Sequence, residues 1–417
     1  MPSIKKINNC RVCGNNKINK LFDFKKTPLE GDFFIKPVKH KTYPLNLRLC
    51  RKCGYVFLSH VVDQKKNYKN NFSDMTDVTV GLKKHLLKNS KHILSKYNIK
   101  NNSLCIDIGS SDGSLLYALK KQKMRAIGID PAIAISKTAN KNGLKTFVSF
   151  FNKTITNKII KSYGTAKIIF TSYTFANVDN ISDFIKNVKK LLDHNGYFVI
   201  ETGYHPIQMG KHNMFDYIYH EHFSYFTLNT LVFFLKKFGL EIIEAKITKP
   251  KGGSILVVAK FRSKFNTINS SVNKILKLER NLKVNKVRFY KKFFKKINKI
   301  GQHLNRLVIS NINSGRQIIG FGASHSTSVL LHHFNLGKHL SYLIDDNKLK
   351  HGLYSPGFNL PIFEVKELFN NNRISSKKTI IILAWQHQKT ILKKYRNLIG
   401  KNITFIAPLP RIKKISN

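Results

Sequence analysis

No run of about 18 apolar residues occurs in the 417-residue chain, which excludes a conventional membrane-crossing helix. The opening residues, MPSIKKINNCRVCG, lack the apolar core of a secretion signal, so the sequence reads as cytoplasmic. Acidic residues are scarce. Only 22 Asp and Glu face 73 Lys and Arg, for a formal charge of +51. Such an imbalance can mark nucleic-acid binding. Here the lysines form no single tail or stripe and run instead with abundant Asn, Ile and Phe. The charge therefore reads first as a compositional drift, and nucleic acid is not the expected partner. It still attracts anionic substrates such as sugar nucleotides. The sequence also lacks HExxH and a complete GxGxxG, and no repeat with a period of 20–50 residues is found.

What is present fills two or three cores, since hydrophobic residues make up 42% of the chain. Three regions separate by pattern. Residues 1–75 are short segments carrying four paired cysteines. Residues 76–260 alternate strand-like runs (SLCIDIGS, RAIGIDP, KIIFTSY, GYFVIETG) with helical patterns, as in a parallel sheet wrapped by helices. Residues 261–417 open on a polar-apolar stretch over 268–312 that predicts a helix or helix pair. Strand-turn-helix patterns then resume (RQIIGFGASHSTSVLL, HLSYLIDD, KTIIILAW, NITFIAP), which predicts a second, smaller α/β domain.

Cys10 and Cys13 are spaced CxxC and followed by Gly14. Cys50 and Cys53 repeat the spacing before Gly54. Two intervening residues let both sulfurs turn onto one cation, and glycine permits the tight turn behind them. Four thiolates complete a tetrahedral zinc and leave no open position, so the site is expected to be structural. Cys105, inside the apolar run LCIDIG, reads as a core residue.

The segment Asp107-Ile-Gly109-Ser-Ser111-Asp112-Gly113 follows one strand-like run and precedes a helical one. Its G-x-x-x-G spacing is not the dinucleotide fingerprint. Asp130 closes the next strand about twenty residues on, where an acid accepts ribose hydroxyls of an adenosine ligand. The pair points to S-adenosylmethionine, with Asp107 near its methionine end and Gly109 and Gly113 leaving room for it.

After GYFVIETG comes FDYIYHEHFSYFTL, which places Tyr219, His220, Glu221, His222 and Tyr225 within seven residues. Histidine suits proton abstraction near neutral pH. A carbon beside a ketone becomes nucleophilic only after losing a proton, and the enolate then needs support. His222, Glu221 and Tyr219 supply groups for both tasks. If the segment is extended, His220 and His222 share one face and Glu221 takes the other; a metal site or a structural aromatic cluster is the competing reading. Farther on, Gly320-Phe-Gly322 stands between a strand and a helix, with Asp345 closing the next strand. Its amides are a candidate cradle for a substrate diphosphate, or simply a structural turn.

The CxxC pairs, IDIGSSDGSLL, YHEHFSYF and GFGASHSTSVLL, in that order, resemble the three-domain sugar C-methyltransferases, including the C-3 methyltransferases of deoxysugar pathways. The resemblance implies an α/β chain with a small zinc-binding module, a Rossmann-like class I methyltransferase domain and a second, smaller Rossmann-like domain. It also implies a nucleotide-linked keto sugar as substrate, with Tyr219, Glu221 and His222 in the active site and His222 as base. Gly252 and Gly253 of KPKGGSILVV carry over as substrate-site residues. Asn177 stands where the family often has a histidine, and the family's tyrosine-rich segment falls near Tyr68 and Phe72. A nucleic-acid-directed methyltransferase and a nicotinamide oxidoreductase are the competing functions. The first lacks a basic stripe and the second lacks a third glycine. The oligomeric state is left open, a monomer included.

Overall fold

The computed structural model describes residues 4–31, 33–63, 81–369, 377–400 and 402–416. Tyr68 and Phe72 lie outside them. Contacts gather the chain into two units that interleave in sequence. The first comprises Met1–Lys20, Arg48–Ile207 and Glu221–Phe289; the second comprises Leu21–Leu47, Gln208–His220 and Tyr290–Asn417.

The first unit holds a seven-stranded sheet. Its strands are β1 (Leu104–Ile108), β2 (Arg125–Asp130), β3 (Thr146–Val148), β4 (Ala166–Ser172), β5 (Leu192–Gly203), β6 (Leu240–Thr248) and β7 (Ser254–Phe261). Their spatial order is β3-β2-β1-β4-β5-β7-β6. Neighbours are parallel from β3 to β5, and β7 runs antiparallel to both β5 and β6. All five residues of β1, Leu-Cys-Ile-Asp-Ile, are buried, as a central parallel strand covered on both faces requires. Helices α1 (Leu82–Lys96), α2 (Ser114–Lys121) and α3 (Ile181–Leu191) belong to the same unit. Helix α3 shows why such segments wrap a sheet. It buries Ile181, Phe184, Ile185, Val188 and Leu191 at three- and four-residue spacing, and the Asn180 side chain caps it by accepting from the Asp183 amide.

The stretch over 268–312 resolves into a helix pair, α4 (Ser270–Leu282) and α5 (Val287–Asn313). Most of α5 opens the second unit, which continues through β8 (Gln317–Phe321), α6 (His325–His333), β9 (Tyr342–Ile344), β10 (Ile362–Phe363), β11 (Lys378–Ile382), β12 (Ile403–Ala407) and β13 (Lys413–Ile415). The order is β10-β9-β8-β11-β12-β13, parallel except for the last pair. The expected α/β architecture with two Rossmann-like sheets is thus observed.

Each sheet reverses its winding direction at its first strand, between β1 and β4 and between β8 and β11. Crevices beyond the carboxyl ends of strands at such points are where open α/β sheets gather ligands. Glycine closes both. A Cβ on Gly109, after β1, would stand 1.9 Å from Thr174 Oγ1, after β4. A Cβ on Gly322, after β8, would stand 2.6 Å from that of Ala384, after β11. Both glycines also have positive φ, +81° and +106°. Among the described residues, no helix is long and apolar enough to cross a membrane.

Candidate active site

The two cysteine knuckles are built alike. Gly14 N donates to Cys10 O at 2.7 Å and Gly54 N to Cys50 O at 3.1 Å, with φ of 75° and 72° at the two glycines. The turns bring Cys10 Sγ to 3.5 Å from Cys53 Sγ, and Cys13 Sγ to 3.5 Å from Cys50 Sγ. All four sulfurs lie within 4.8 Å of one another. A tetrahedral zinc with bonds of about 2.3 Å spaces its sulfurs about 3.8 Å apart, so the cluster has the dimensions of a zinc site. The Cys53 thiol, hydrogen-bonded to Cys10, draws the Cys10 thiol down to about 6, and the same proximity pushes Cys53 up. Four crowded thiolates need a cation between them.

The knuckles share a core with the methyltransferase sheet. Tyr55 stacks on Phe57, Phe226 packs on Tyr55, and Phe175 stacks on Phe226 with centroids 4.9 Å apart. Arg11, between the first two cysteines, ties the region together. Its guanidinium donates to the carbonyls of Val178 (3.2 Å), Asp179 (3.0 Å) and Phe223 (2.8 Å), and to the hydroxyls of Tyr55 and Ser224. Phe223 O also accepts from Leu58 N at 3.0 Å, and Ser224–Tyr225 pairs antiparallel with Val56–Leu58. His222 therefore stands two residues before a strand fastened to the zinc module.

At the carboxyl end of β1, Asp107 is buried, and its Oδ1 has no hydrogen-bond partner. Burial, reinforced by the charges of Asp130 and Asp112, pushes its carboxyl well above the usual range. Asp130 accepts from Ser111 N at 2.9 Å through one oxygen and from Ala132 N at 2.8 Å through the other. Asp112 accepts from Ser114 N at 3.0 Å. Two further carboxylates beside this orphaned buried acceptor suit a ligand bearing positive charge, and S-adenosylmethionine carries an ammonium and a sulfonium. The glycines act differently from the sequence reading. The side chain absent at Gly109 makes room for Thr174, and the one absent at Gly113 makes room for Leu144.

Asn177 ends a short 3-10 turn, Phe175–Asn177, beyond β4. Lys251, Gly252 and Gly253 have φ of 51°, 76° and 111°, and the Lys251 ammonium lies 4.6 Å from the centroid of the Tyr173 ring. Gly253 O accepts from Tyr204 N at 3.0 Å. Sequence reasoning missed Glu201, a buried carboxylate near the end of β5. It is bonded to His85 Nε2 at 2.7 Å and accepts from Thr248 Oγ1 at 2.7 Å. The acid in FVIETG was its only signal.

The HEH segment is not a strand. His220 and Glu221 lie in a turn, so the expected alternation of faces does not apply. Glu221 and His222 are buried in the first unit, where the His222 ring packs edge-on to Tyr225. Tyr219 and His220 belong to the second. There Glu30 holds His220 twice, at Nδ1 (2.8 Å) and at its amide (3.2 Å). His205, also buried, is pushed down to about 3 by desolvation. Among the described residues, the cysteines form the one group of three or more His, Cys, Asp or Glu arranged to hold a metal.

In the second unit, Gly320 lies within β8, where a Cβ would strike Leu343, Leu383 and Leu340. The amides of the following turn are spoken for. Gly322 N donates to Ile344 O, Ala323 N to Asp345 Oδ2, and Ser324 N to Thr327 Oγ1. Beside this turn the Tyr219 ring packs on His325, with centroids 5.8 Å apart. Asp216 is fully buried and accepts from Trp385 Nε1 at 2.8 Å, and burial pushes its carboxyl up to about 6.

Three family models follow one another along the chain: a zinc binding domain at residues 10–68, a methyltransferase domain at 82–245 and a C-methyltransferase C-terminal domain at 249–410. C-methyltransferase NovU of Streptomyces niveus is 26% identical over 420 residues, which is 99% of this chain and 98% of that protein. The chain belongs to the three-domain C-methyltransferases. S-adenosylmethionine is the methyl donor of this C-methyltransferase, and zinc is the metal of its cysteine module. The carboxy-S-adenosyl-L-methionine synthase of Staphylococcus epidermidis is 24% identical over 155 residues, 36% of this chain and 67% of that one. Among solved structures, the magnesium protoporphyrin IX methyltransferase ChlM of Synechocystis PCC 6803 aligns over 44% of this C-methyltransferase and 84% of its own chain, at 14% identity and a TM-score of 0.35.

Purified protein should carry one zinc per chain, and Cys50→Ser should lower both zinc content and melting temperature. Elemental analysis with thermal melts checks this; a fully folded, metal-free wild type would contradict it. Asp216 gives a pH signature. A carboxyl whose folded value is raised contributes stability at low pH that is lost as pH rises through about 6. Fluorescence of Trp385, the chain's single tryptophan, should therefore titrate near pH 6, and Asp216→Asn should abolish that transition. Identical titrations in the two proteins would contradict the assignment.

Proposed function

We propose that this C-methyltransferase alkylates the carbon beside the ketone of a nucleotide-linked keto-deoxysugar, with His222 as the base. The observation that carries this reading is the anchoring of His222. It is buried, and the next residue is fixed through its carbonyl by Arg11 and Leu58. Nearby histidines are poorly suited. His205 is too weak a base at about 3, the His85 ring is engaged by Glu201, and His220 is held by Glu30. The choice of a sugar rests on the resemblance of YHEHFSYF and its companion segments to sugar C-methyltransferases.

Bound over Asp107 and Asp130, S-adenosylmethionine supplies an electrophilic methyl group. His222 removes the proton from the carbon next to the ketone, leaving an enolate, and becomes imidazolium. The resemblance gives Tyr219 and Glu221 the roles of orienting the sugar or steadying the enolate oxygen. The carbanion would then take the methyl group, its new C–CH3 bond forming as the S–CH3 bond breaks and S-adenosylhomocysteine leaves. Asn177 hydrogen-bonds a substrate oxygen but neither gives nor takes a proton, which leaves His222 to carry the proton traffic. The strained Lys251–Gly253 turn lets backbone approach the sugar closely. Burial keeps water from competing for the enolate.

Reaction of a nucleotide-linked 4-keto sugar with methyl-13C-labelled donor should give a carbon-bound methyl, distinguished from an O-methyl by its NMR shift. His222→Ala should bind the donor normally and lose transfer by on the order of 100-fold or more. An O-methylated product, or a variant as fast as wild type, would overturn the reading.

A further inference from the structure

The second unit contains a cleft of about 510 Å3 that none of the steps above uses. Four of its nine lining residues are Lys or Arg, against 73 of 417 in the whole chain, and none is acidic. We propose that this cleft, lined by Lys211, Asn213, Lys296, Lys299, His303 and Arg411, is a binding site for a diphosphate group.

The cations come from three separate parts of the chain. Lys296, Lys299 and His303 fall at i, i+3 and i+7 on α5 and so share one face of the helix. Lys211 enters from the loop that leads to the YHEH segment. Arg411 enters from the link between β12 and β13. The last two are fixed relative to each other, because the buried Asn213 side chain donates to Pro410 O at 2.7 Å. Like charges held together in a concavity repel one another, and a polyvalent anion relieves that repulsion. A guanidinium beside several ammonium groups matches the oxygens of paired phosphates.

The position also fits a ligand. Leu409–Arg411 follows the carboxyl end of β12, the end of the parallel sheet where α/β proteins collect ligands. The volume lies within the usual range of ligand pockets, about 300–1,000 Å3. The rival location is the turn at Gly320 and Gly322. Its amides at Gly322, Ala323 and Ser324 already donate within the protein, and the Asp345 carboxylate sits on it. A phosphate there would meet a negative charge and no free turn amide among these three. As an anchor for the substrate's diphosphate, the cleft rests on the nucleotide-sugar reading; as a diphosphate site it stands without it.

Calorimetry on the full chain with inorganic pyrophosphate and with uridine 5′-diphosphate tests the proposal. Lys296→Ala/Lys299→Ala, and separately Arg411→Ala, should weaken pyrophosphate binding at least tenfold. Lys274→Ala/Lys277→Ala removes the same charge from exposed positions on α4, which lends no residue to the cleft, and should change it less than twofold. Thermal melts and S-adenosylmethionine binding report on folding in every variant. Equal losses from both lysine pairs would mean attraction to general surface charge and would overturn the site. So would wild-type pyrophosphate affinity in the cleft variants, or no pyrophosphate binding to wild type. Undiminished uridine 5′-diphosphate binding in the cleft variants would overturn the cleft as the substrate's anchor while sparing the nucleotide-sugar reading. Pyrophosphate binding that the cleft variants lose, with no nucleotide binding to wild type, would support the cleft and count against that reading.

Discussion

The guanidinium of Arg11 is the contact on which the first unit most depends. It sits between two metal-binding cysteines and donates to three carbonyls and two hydroxyls drawn from the zinc module, the loop after β4 and the strand after His222. Those groups are 44 to 213 residues away in sequence. No hydrophobic contact could impose such direction, and a lysine could not reach five acceptors from one rigid plane. The zinc knuckle fixes the arginine, the arginine fixes Phe223 and Ser224, and these fix the residue before them. A structural metal can thus bear on chemistry to which it contributes no ligand position.

A second constraint is electrostatic. The chain is strongly basic overall, yet the crevice beyond β1 sets Asp112 and Asp130 beside the buried, unpartnered Oδ1 of Asp107. Burial, then the charges of Asp130 and Asp112, raise the energy of the Asp107 carboxylate, and a cationic ligand relieves it. The cleft of the second unit has the opposite sign. A sulfonium donor finds a region of complementary sign in the first unit, and the phosphorylated acceptor we propose would find one in the second.

Much of this was readable from residues alone. The cysteine knuckles were legible because two spacings and two glycines leave few alternatives. The strands were legible because parallel sheets bury both faces, so IDIGS and KIIFTSY appear as near-continuous apolar runs. Other features depend on distant partners and carry little local signal. Glu30 bonds His220 across 190 residues, and nothing in TPLEGDF announces it. The HEH segment looked like an alternating strand but is a turn, because Glu30 holds its His220 end while Arg11 and Leu58 fasten the residue after His222. Gly109 looked like space for a cofactor; it is space for Thr174, which only the pairing of β1 with β4 brings near.

In the proposed reaction, proton abstraction can be watched apart from methyl transfer. The decisive measurement is exchange of the substrate's α-proton in D2O, with S-adenosylhomocysteine in place of the donor. Wild type should wash deuterium into the carbon beside the ketone, and His222→Ala should not, although it still binds the cofactor product. Exchange at the wild-type rate in the variant would contradict the account and transfer the role of base to another group, Glu221 foremost.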